Sequence, residues 1–80
     1  MRLALDYDGT YTRDPDMWEA FIDLARKAGH SVTCVTMRYP TEPVRIGCEV
    51  VYTSRKAKSE CFDADVWIDD MPHFILVGGA

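Results

Sequence analysis

Two short apolar runs that each end in carboxylates constrain what this chain can fold into. The first run, LAL, is followed by Asp6 and Asp8, and the second, VWI, is followed by Asp69 and Asp70. Apolar runs of this length are typical of strands buried in a parallel sheet with both faces covered. The strands of such a sheet end at one edge, where open α/β folds bind their ligands. We therefore expect the two acidic pairs to converge at one edge of a sheet.

Between the two acidic pairs, the pattern alternates strands with helices. Asp14 and Pro15 are typical of a helix start, apolar residues then recur at helical spacing, and Gly29 is typical of a helix end. Strand-like runs on either side of this helix predict a βαβ unit with parallel strands. Pro40 and Pro43 disfavour a second long helix. The sequence predicts an α/β fold with helices at residues 15–28 and about 55–62, and with strands at residues 3–5, 31–36, 49–53, 66–68 and 74–77.

The composition narrows the class of protein further. The 80 residues are 48% hydrophobic and 28% charged, which is typical of one globular domain. The formal charge of −4 argues against non-specific nucleic-acid binding through a basic face, although a bound cation would let a phosphorylated substrate approach. The three cysteines form no CxxC pair and no zinc pattern, so we expect reduced thiols in a cytoplasmic protein. Because the apolar runs are short, we expect no signal peptide and no membrane span.

The edge that gathers the carboxylates also gathers other polar side chains. Clustered carboxylates repel one another, and a hard divalent cation is the usual remedy; oxygen ligands favour Mg²⁺ over Zn²⁺. Thr36 ends the second predicted strand, and Lys56 and Lys58 lie at the start of the later helix. A hydroxyl, a lysine and a carboxylate-held metal can together bind and polarise a phosphoryl group.

These residues resemble the motifs of a known family. The stretch DYDGT at residues 6–10 resembles the DxDGT signature of the haloacid dehalogenase-like (HAD) phosphohydrolases. Thr36, a lysine at Lys58 or Lys56, and WIDD at residues 67–70 are candidates for the other three motifs, in the same order. The resemblance covers nearly the whole chain. It implies a minimal Rossmann-like three-layer core at residues 1–80, with a mostly parallel sheet of about five strands.

The resemblance also implies roles for the acidic residues. Asp6 would be the nucleophile that forms an aspartyl-phosphate, and Asp8 would protonate the leaving oxygen and then activate water. An aspartate at the second position is what the phosphatases of the family have. Asp6, the backbone carbonyl of Asp8, and Asp69 would bind Mg²⁺, with Asp70 orienting the metal's ligands or a bound water.

The other two motifs would handle the phosphoryl group. By the same resemblance, Thr36 would hydrogen-bond the phosphoryl oxygens, and Lys58 would neutralise the intermediate. Lys58 is preferred to Lys56 because of its spacing to Asp69. Together the motifs imply a Mg²⁺-dependent phosphomonoesterase whose substrate is a phosphorylated molecule.

The chain departs from the family in lacking room for a cap domain. Neither the short segment after Thr10 nor the proline-containing loop after Thr36 can hold one. The site should therefore be open and suited to bulky or macromolecular phosphoesters, such as nucleotides or nucleic-acid ends. A second copy of the chain could cover such a site. The alternative is a HAD-like domain that binds metal or phosphate without turnover.

Simpler interpretations exist for each motif. DYDGT could be an ordinary turn, since Asp and Gly favour turns. A calcium-binding loop does not fit, because it would need glycine at the position of Tyr11 and glutamate at the position of Met17. The DD pair could cap a helix or form a turn. The hydroxyl of Thr36 could bond only to the backbone, and either lysine could lie on a solvated helix face. Arg38 could contact substrate or simply lie at the surface.

Overall fold

A four-stranded, all-parallel sheet forms the centre of the computed structural model, which describes residues 1–79. Its strands are β1 (Arg2–Leu5), β2 (Ser31–Thr36), β3 (Glu49–Tyr52) and β4 (Val66–Ile68). Across the sheet the order is β3-β2-β1-β4, and every neighbouring pair is parallel. The strands predicted at these four positions are confirmed to within a residue or so, as is the α/β class.

The helix between β1 and β2 is the longest in the described chain. This helix, α1 (Pro15–Lys27), begins where the Asp14 carboxylate accepts a hydrogen bond from the backbone N–H of Met17, at 3.2 Å. It ends just before Gly29, whose φ of +90° favours glycine. The prediction of this helix is confirmed. No helix within residues 1–79 is both long and apolar enough to cross a membrane.

The core lies on both sides of β1. In β1, Leu3, Ala4 and Leu5 are each 6% exposed or less. Successive side chains of a strand point to opposite faces, so both faces of β1 are covered. On one face Leu3 and Leu5 pack with Ile22 of α1 and Val32 of β2. Three of the four residues of β1 are therefore buried, and so is Asp6, the residue that follows it.

The fifth strand predicted at residues 74–77 is wrong. The chain there forms a one-turn helix, α3 (His73–Leu76), after a turn at Pro72. Backbone N–H groups of Phe74 and Ile75 donate to carbonyls three residues earlier, which closes the helical turn. An apolar run of four residues has no periodicity that separates strand from helix. The observed sheet therefore has four strands.

The helix predicted at about residues 55–62 is shorter than expected. It is a single turn, α2 (Lys58–Cys61), without a side-chain cap at Ala57. Ser54 and Arg55 adopt positive φ angles of 53° and 71°, which a right-handed helix cannot continue. The helix must therefore start later, and this places Lys58 at its first residue.

The two segments with no room for a cap domain are both short in the structure. A single 3-10 turn, Tyr11–Arg13, separates the end of the DYDGT stretch from α1. Residues 37–48 contain turns and bends but no helix or strand. Glu19 of α1 accepts a hydrogen bond from the N–H of Gly47 at 2.9 Å, which ties this loop to the helix.

Candidate functional site

The site lies where the order of strands reverses beside β1. From β1 the chain adds β2 and then β3 on one side, and it returns to add β4 on the other side. The backbone N–H of Asp6 donates to the carbonyl of Ile68 at 2.9 Å, so β1 and β4 stay paired to their carboxyl ends. In open parallel sheets, such a reversal leaves a crevice where ligands bind.

Three carboxylates converge at this crevice. Asp6, Asp69 and Asp70 each bring one oxygen to within 4.8 Å of the others. Asp6 is 7% exposed, whereas Asp70 lies at the surface. The convergence expected from the two strand ends is therefore observed for these three residues. We call them the carboxylate cluster.

Lys58 reaches into the carboxylate cluster from the start of α2. Its Nζ lies 2.7 Å from Oδ1 of Asp6 and 2.5 Å from Oδ2 of Asp69, and the residue is 3% exposed. Lys56 is exposed, so Lys58 is the lysine that the fold brings to the cluster. Of the two candidates weighed from the sequence, the position of Lys58 fits and that of Lys56 does not.

Burial and pairing act against each other on these charges. Burial raises the pKa of Asp6 to about 6, although the Lys58 ammonium acts to lower it. For Lys58, burial acts to lower the pKa, but hydrogen bonds to Asp6 and Asp69 prevail and hold its pKa above the usual value. At neutral pH Asp6 and Lys58 are therefore both charged although they are buried, and each depends on the other as its ionic partner.

Thr10 and Gly9 hold the two acidic strand ends together. Oγ1 of Thr10 donates to Oδ2 of Asp6 at 2.9 Å and accepts from the backbone N–H of Asp70 at 3.2 Å. Gly9 has a φ of +87°, and a Cβ there would lie 2.4 Å from Oδ2 of Asp70. The sequence predicts no such bridging role for Gly9 or Thr10, because it depends on the pairing of β1 with β4.

Asp8 lies apart from the cluster, in an ion pair with Arg38. Nε and Nη2 of Arg38 donate to the two carboxylate oxygens of Asp8 at 2.9 and 2.8 Å. The Arg38 guanidinium also lies over the ring of Tyr7, 5.2 Å from its centroid. The hydrogen bonds from Arg38 hold the pKa of Asp8 below its usual value, so Asp8 is ionised in this arrangement.

Thr36 ends β2 at the same edge and is buried. Its Oγ1 accepts a hydrogen bond from the backbone N–H of Arg38 at 3.3 Å, and its carbonyl accepts from the N–H of Thr53 at 2.8 Å. The hydroxyl thus supports the turn that carries Arg38. Its own proton is not committed to a partner among residues 1–79.

A cavity of about 320 Å³ opens over these residues. The carboxylates and Lys58 line it together with Thr36. Arg38 and Arg55 contribute two guanidinium groups, and Met37, Met71 and Phe74 contribute apolar surface. Of these residues only Arg38 is a candidate from the sequence, because Arg55 and the apolar side chains come from three separate turns. The volume lies at the lower end of the range of ligand pockets.

The carboxylate cluster has the donors that Mg²⁺ prefers. An octahedral ion with bonds of about 2.1 Å holds ligand oxygens about 3.0 Å apart when adjacent and about 4.2 Å apart when opposite. Oxygens of Asp6, Asp69 and Asp70 within 4.8 Å of one another need a small contraction to reach this geometry. The donor set, all oxygen and all carboxylate, therefore fits a hard divalent cation.

Comparisons with protein-family models, with curated proteins and with solved structures return no match to this chain. The inference of function therefore depends on the chemistry of the site itself. That site combines a buried carboxylate beside a lysine, a second carboxylate two residues later, and a cavity with both cationic and apolar surfaces.

Proposed function

We propose that this chain is a Mg²⁺-dependent phosphomonoesterase that acts through an aspartyl-phosphate on Asp6. The observation that carries the proposal is the setting of Asp6. It follows β1, an interior strand of the sheet, is almost fully buried, accepts hydrogen bonds from Lys58 and Thr10, and borders the cavity. A carboxylate held this rigidly beside a cation is suited to nucleophilic attack on a phosphoryl group. The resemblance of DYDGT to the HAD signature supports the same proposal.

In the first step, an oxygen of Asp6 would form a bond to phosphorus while the ester oxygen leaves with a proton from Asp8. In the second step, water would attack phosphorus as Asp8 takes its proton, the bond to Asp6 would break, and inorganic phosphate would leave. Lys58 would balance charge on the phosphoryl oxygens throughout. Mg²⁺ bound by Asp6, Asp69 and Asp70 would polarise the phosphoryl group.

For Asp8 to act in this way, it must exchange Arg38 for the leaving oxygen and first take up a proton from solvent, which the release of Arg38 favours. In the structure both of its oxygens accept hydrogen bonds from Arg38, and its side chain is about half exposed. Such a pair near the surface contributes on the order of 1 kcal/mol or less. Exchange on substrate binding is therefore energetically modest.

The cavity supports a substrate with an apolar or aromatic leaving group. Met37, Met71 and Phe74 offer apolar surface beside the carboxylates. A nucleotide or a nucleic-acid end has a phosphate and a planar base that suit such a site. We further propose that the protein acts in the cytoplasm, since its cysteines are free thiols, and that a second copy can cover the open site.

Hydrolysis of an aryl phosphate tests this proposal. Turnover should require Mg²⁺ and vanish in Asp6→Asn, and it should fall by roughly two to four orders of magnitude in Asp8→Asn, the usual size of general acid–base effects. Lys56→Met, which removes an exposed lysine near the site, serves as the matched control and should retain activity. Activity that persists in Asp6→Asn would refute the covalent mechanism.

The second candidate is a domain that binds metal or phosphate without turnover. The bidentate pairing of Asp8 with Arg38 favours it, because an ionised, fully paired Asp8 cannot donate a proton. Under this candidate, Mg²⁺ and inorganic phosphate bind, but a panel of phosphoesters is not hydrolysed. Measurable turnover that depends on Asp8 would exclude it.

A further inference from the structure

We propose that Arg38 and Arg55 form a second anion-binding subsite, so that preferred substrates have another anionic group besides the phosphoryl group that is removed. This inference rests on the proposed function and names its class of substrate. Both guanidinium groups line the cavity that the carboxylate cluster borders. They come from different turns at the carboxyl ends of β2 and β3.

Among the cations that line the cavity, Arg55 is the one whose hydrogen-bond donors are least engaged by other side chains. Lys58 is paired with Asp6 and Asp69, and Arg38 is paired with both oxygens of Asp8. The partner of Arg55 is Glu42, whose Oε1 lies 3.6 Å away, beyond hydrogen-bond distance. Within residues 1–79 the Arg55 guanidinium therefore keeps its donors available for a ligand.

The Arg55 side chain is held in place despite this loose pairing. Its guanidinium lies over the ring of Tyr39, 5.6 Å from the centroid, just as Arg38 lies over Tyr7. Stacking of this kind orients a guanidinium without using its in-plane donors. Arg55 is thus preorganised as a fork that suits phosphate or carboxylate oxygens, and Arg38 offers a second fork once Asp8 exchanges it for the leaving oxygen.

The backbone at Arg55 points to a role beyond packing. Ser54 and Arg55 both have positive φ angles, a conformation that favours glycine, and the Arg55 side chain is 38% exposed. The N–H of Arg55 donates to the carbonyl of Met37 at 2.9 Å, and the N–H of Ser54 donates to the carbonyl of Arg38 at 3.3 Å. These bonds fix the strained turn directly against the segment that carries Arg38. Strain retained at a partly exposed residue is typical of functional positions.

The substrate class follows from this arrangement. The phosphoryl group to be removed lies at the carboxylate cluster, while the second anion, a phosphate or carboxylate on the leaving group, binds Arg38 and Arg55. Apolar side chains line the same cavity and accept the body of the molecule. A nucleoside bisphosphate, or an internal phosphate of a nucleic-acid end, has this combination of groups.

A matched pair of substrates tests the subsite. Phosphate release is measured with saturating Mg²⁺ for thymidine 5′-monophosphate and thymidine 3′,5′-bisphosphate, and the ratio of their kcat/KM values is compared. Because Arg55 is partly exposed, one charge-assisted interaction at the lower end of its usual range should make the ratio about tenfold. Arg55→Gln should reduce the ratio to near the statistical factor of two that a substrate with two phosphates allows. Lys56→Gln removes the neighbouring exposed charge, and its ratio of kcat/KM values should equal that of the unmodified protein.

Arg55 is the better position to vary, because Arg38 also holds Asp8 and a substitution there would disturb both functions. A ratio of two or less for the unmodified protein, or a higher ratio that Arg55→Gln leaves unchanged, would overturn the subsite and leave the proposed function standing. If neither nucleotide is hydrolysed, calorimetric titration with the same two nucleotides decides the subsite, while hydrolysis of the aryl phosphate still decides the proposed function. Tighter binding of the bisphosphate that is lost in Arg55→Gln would support it, and equal or absent binding would overturn it.

Discussion

Lys58 should be essential for stability as well as for the chemistry, because it is the internal cation of the carboxylate cluster. Its Nζ lies between Asp6 and Asp69, and all three side chains are 8% exposed or less. In Lys58→Met the side chain keeps a similar length and apolar stem but loses its charge. The buried carboxylates are then left without their partner.

The expected loss is large compared with the stability of so small a chain. Removing one partner of a buried ion pair typically costs about 3–5 kcal/mol, because the remaining charge stays buried without compensation. A chain of 80 residues has a total stability of roughly 4–12 kcal/mol, by the usual range per residue. Lys58→Met should therefore lose about a quarter or more of the free energy of unfolding in the absence of metal.

Urea unfolding followed by circular dichroism, at pH 7 with a chelator, measures this loss. With a slope of about 1 kcal/mol per molar urea, the midpoint should fall by roughly 3–5 M. Lys56→Met is the matched control and should change stability by no more than about 0.5 kcal/mol, as is usual for exposed positions. Added Mg²⁺ should restore more stability to Lys58→Met than to the unmodified protein. A midpoint for Lys58→Met equal to that of the unmodified protein would refute the buried arrangement.

Three further outcomes follow from the same geometry. Gly9→Ala should lower the thermal midpoint, because a Cβ at a φ of +87° costs about 1–2 kcal/mol and would also meet the Asp70 carboxylate. Gly29→Ala is the control that isolates the backbone cost, because a Cβ at Gly29 would have no atom within 4 Å. An equal fall of the midpoint in both variants would argue against the contact with Asp70. Ser54→Gly should raise the free energy of unfolding by about 0.5–1 kcal/mol through relief of its positive φ, and a loss of stability in urea would contradict this. Because the pKa of Asp6 is raised to about 6, the folded protein binds more protons than the unfolded chain between about pH 4 and pH 6. The metal-free free energy of unfolding should therefore fall as the pH rises through that window, and Asp6→Asn should flatten this dependence. Urea unfolding at several pH values measures it. The same slope in the unmodified protein and in Asp6→Asn would show that another group is responsible.

The parts of the fold that the sequence predicts correctly are those with local signals. The helix α1 has a capping Asp14, a proline at its first position and Gly29 just after its end. Each of these residues sets a helix boundary through backbone groups only a few positions away in the sequence. The convergence of the acidic pairs also follows from the sequence, because parallel strands share one edge for their carboxyl ends. The burial of β1 on both faces agrees with its uninterrupted apolar run.

The errors arise where distant contacts decide the local structure. Residues 74–77 contain too few positions to show a period, so their helical turn depends on what precedes and surrounds it. Ser54 and Arg55 carry no sequence signal for positive φ, yet their conformation delays α2 and directs Arg55 toward the cavity. Thr10 and Arg38 act through partners that are 60 and 30 residues away in sequence, respectively. Such pairings become visible only once the strands are ordered.

Detection of a phosphorylated Asp6 tests the central claim most directly. An aryl phosphate has a good leaving group, so Asp8→Asn should still form the aspartyl-phosphate but hydrolyse it slowly. Acid quenching of Asp8→Asn during turnover, followed by mass spectrometry, should reveal one added phosphoryl group on the peptide that contains Asp6. The double variant with Asp6→Asn should show none. Steady release of phosphate with no phosphoryl group on Asp6 at any time would contradict the account, because it would mean that water attacks the substrate directly.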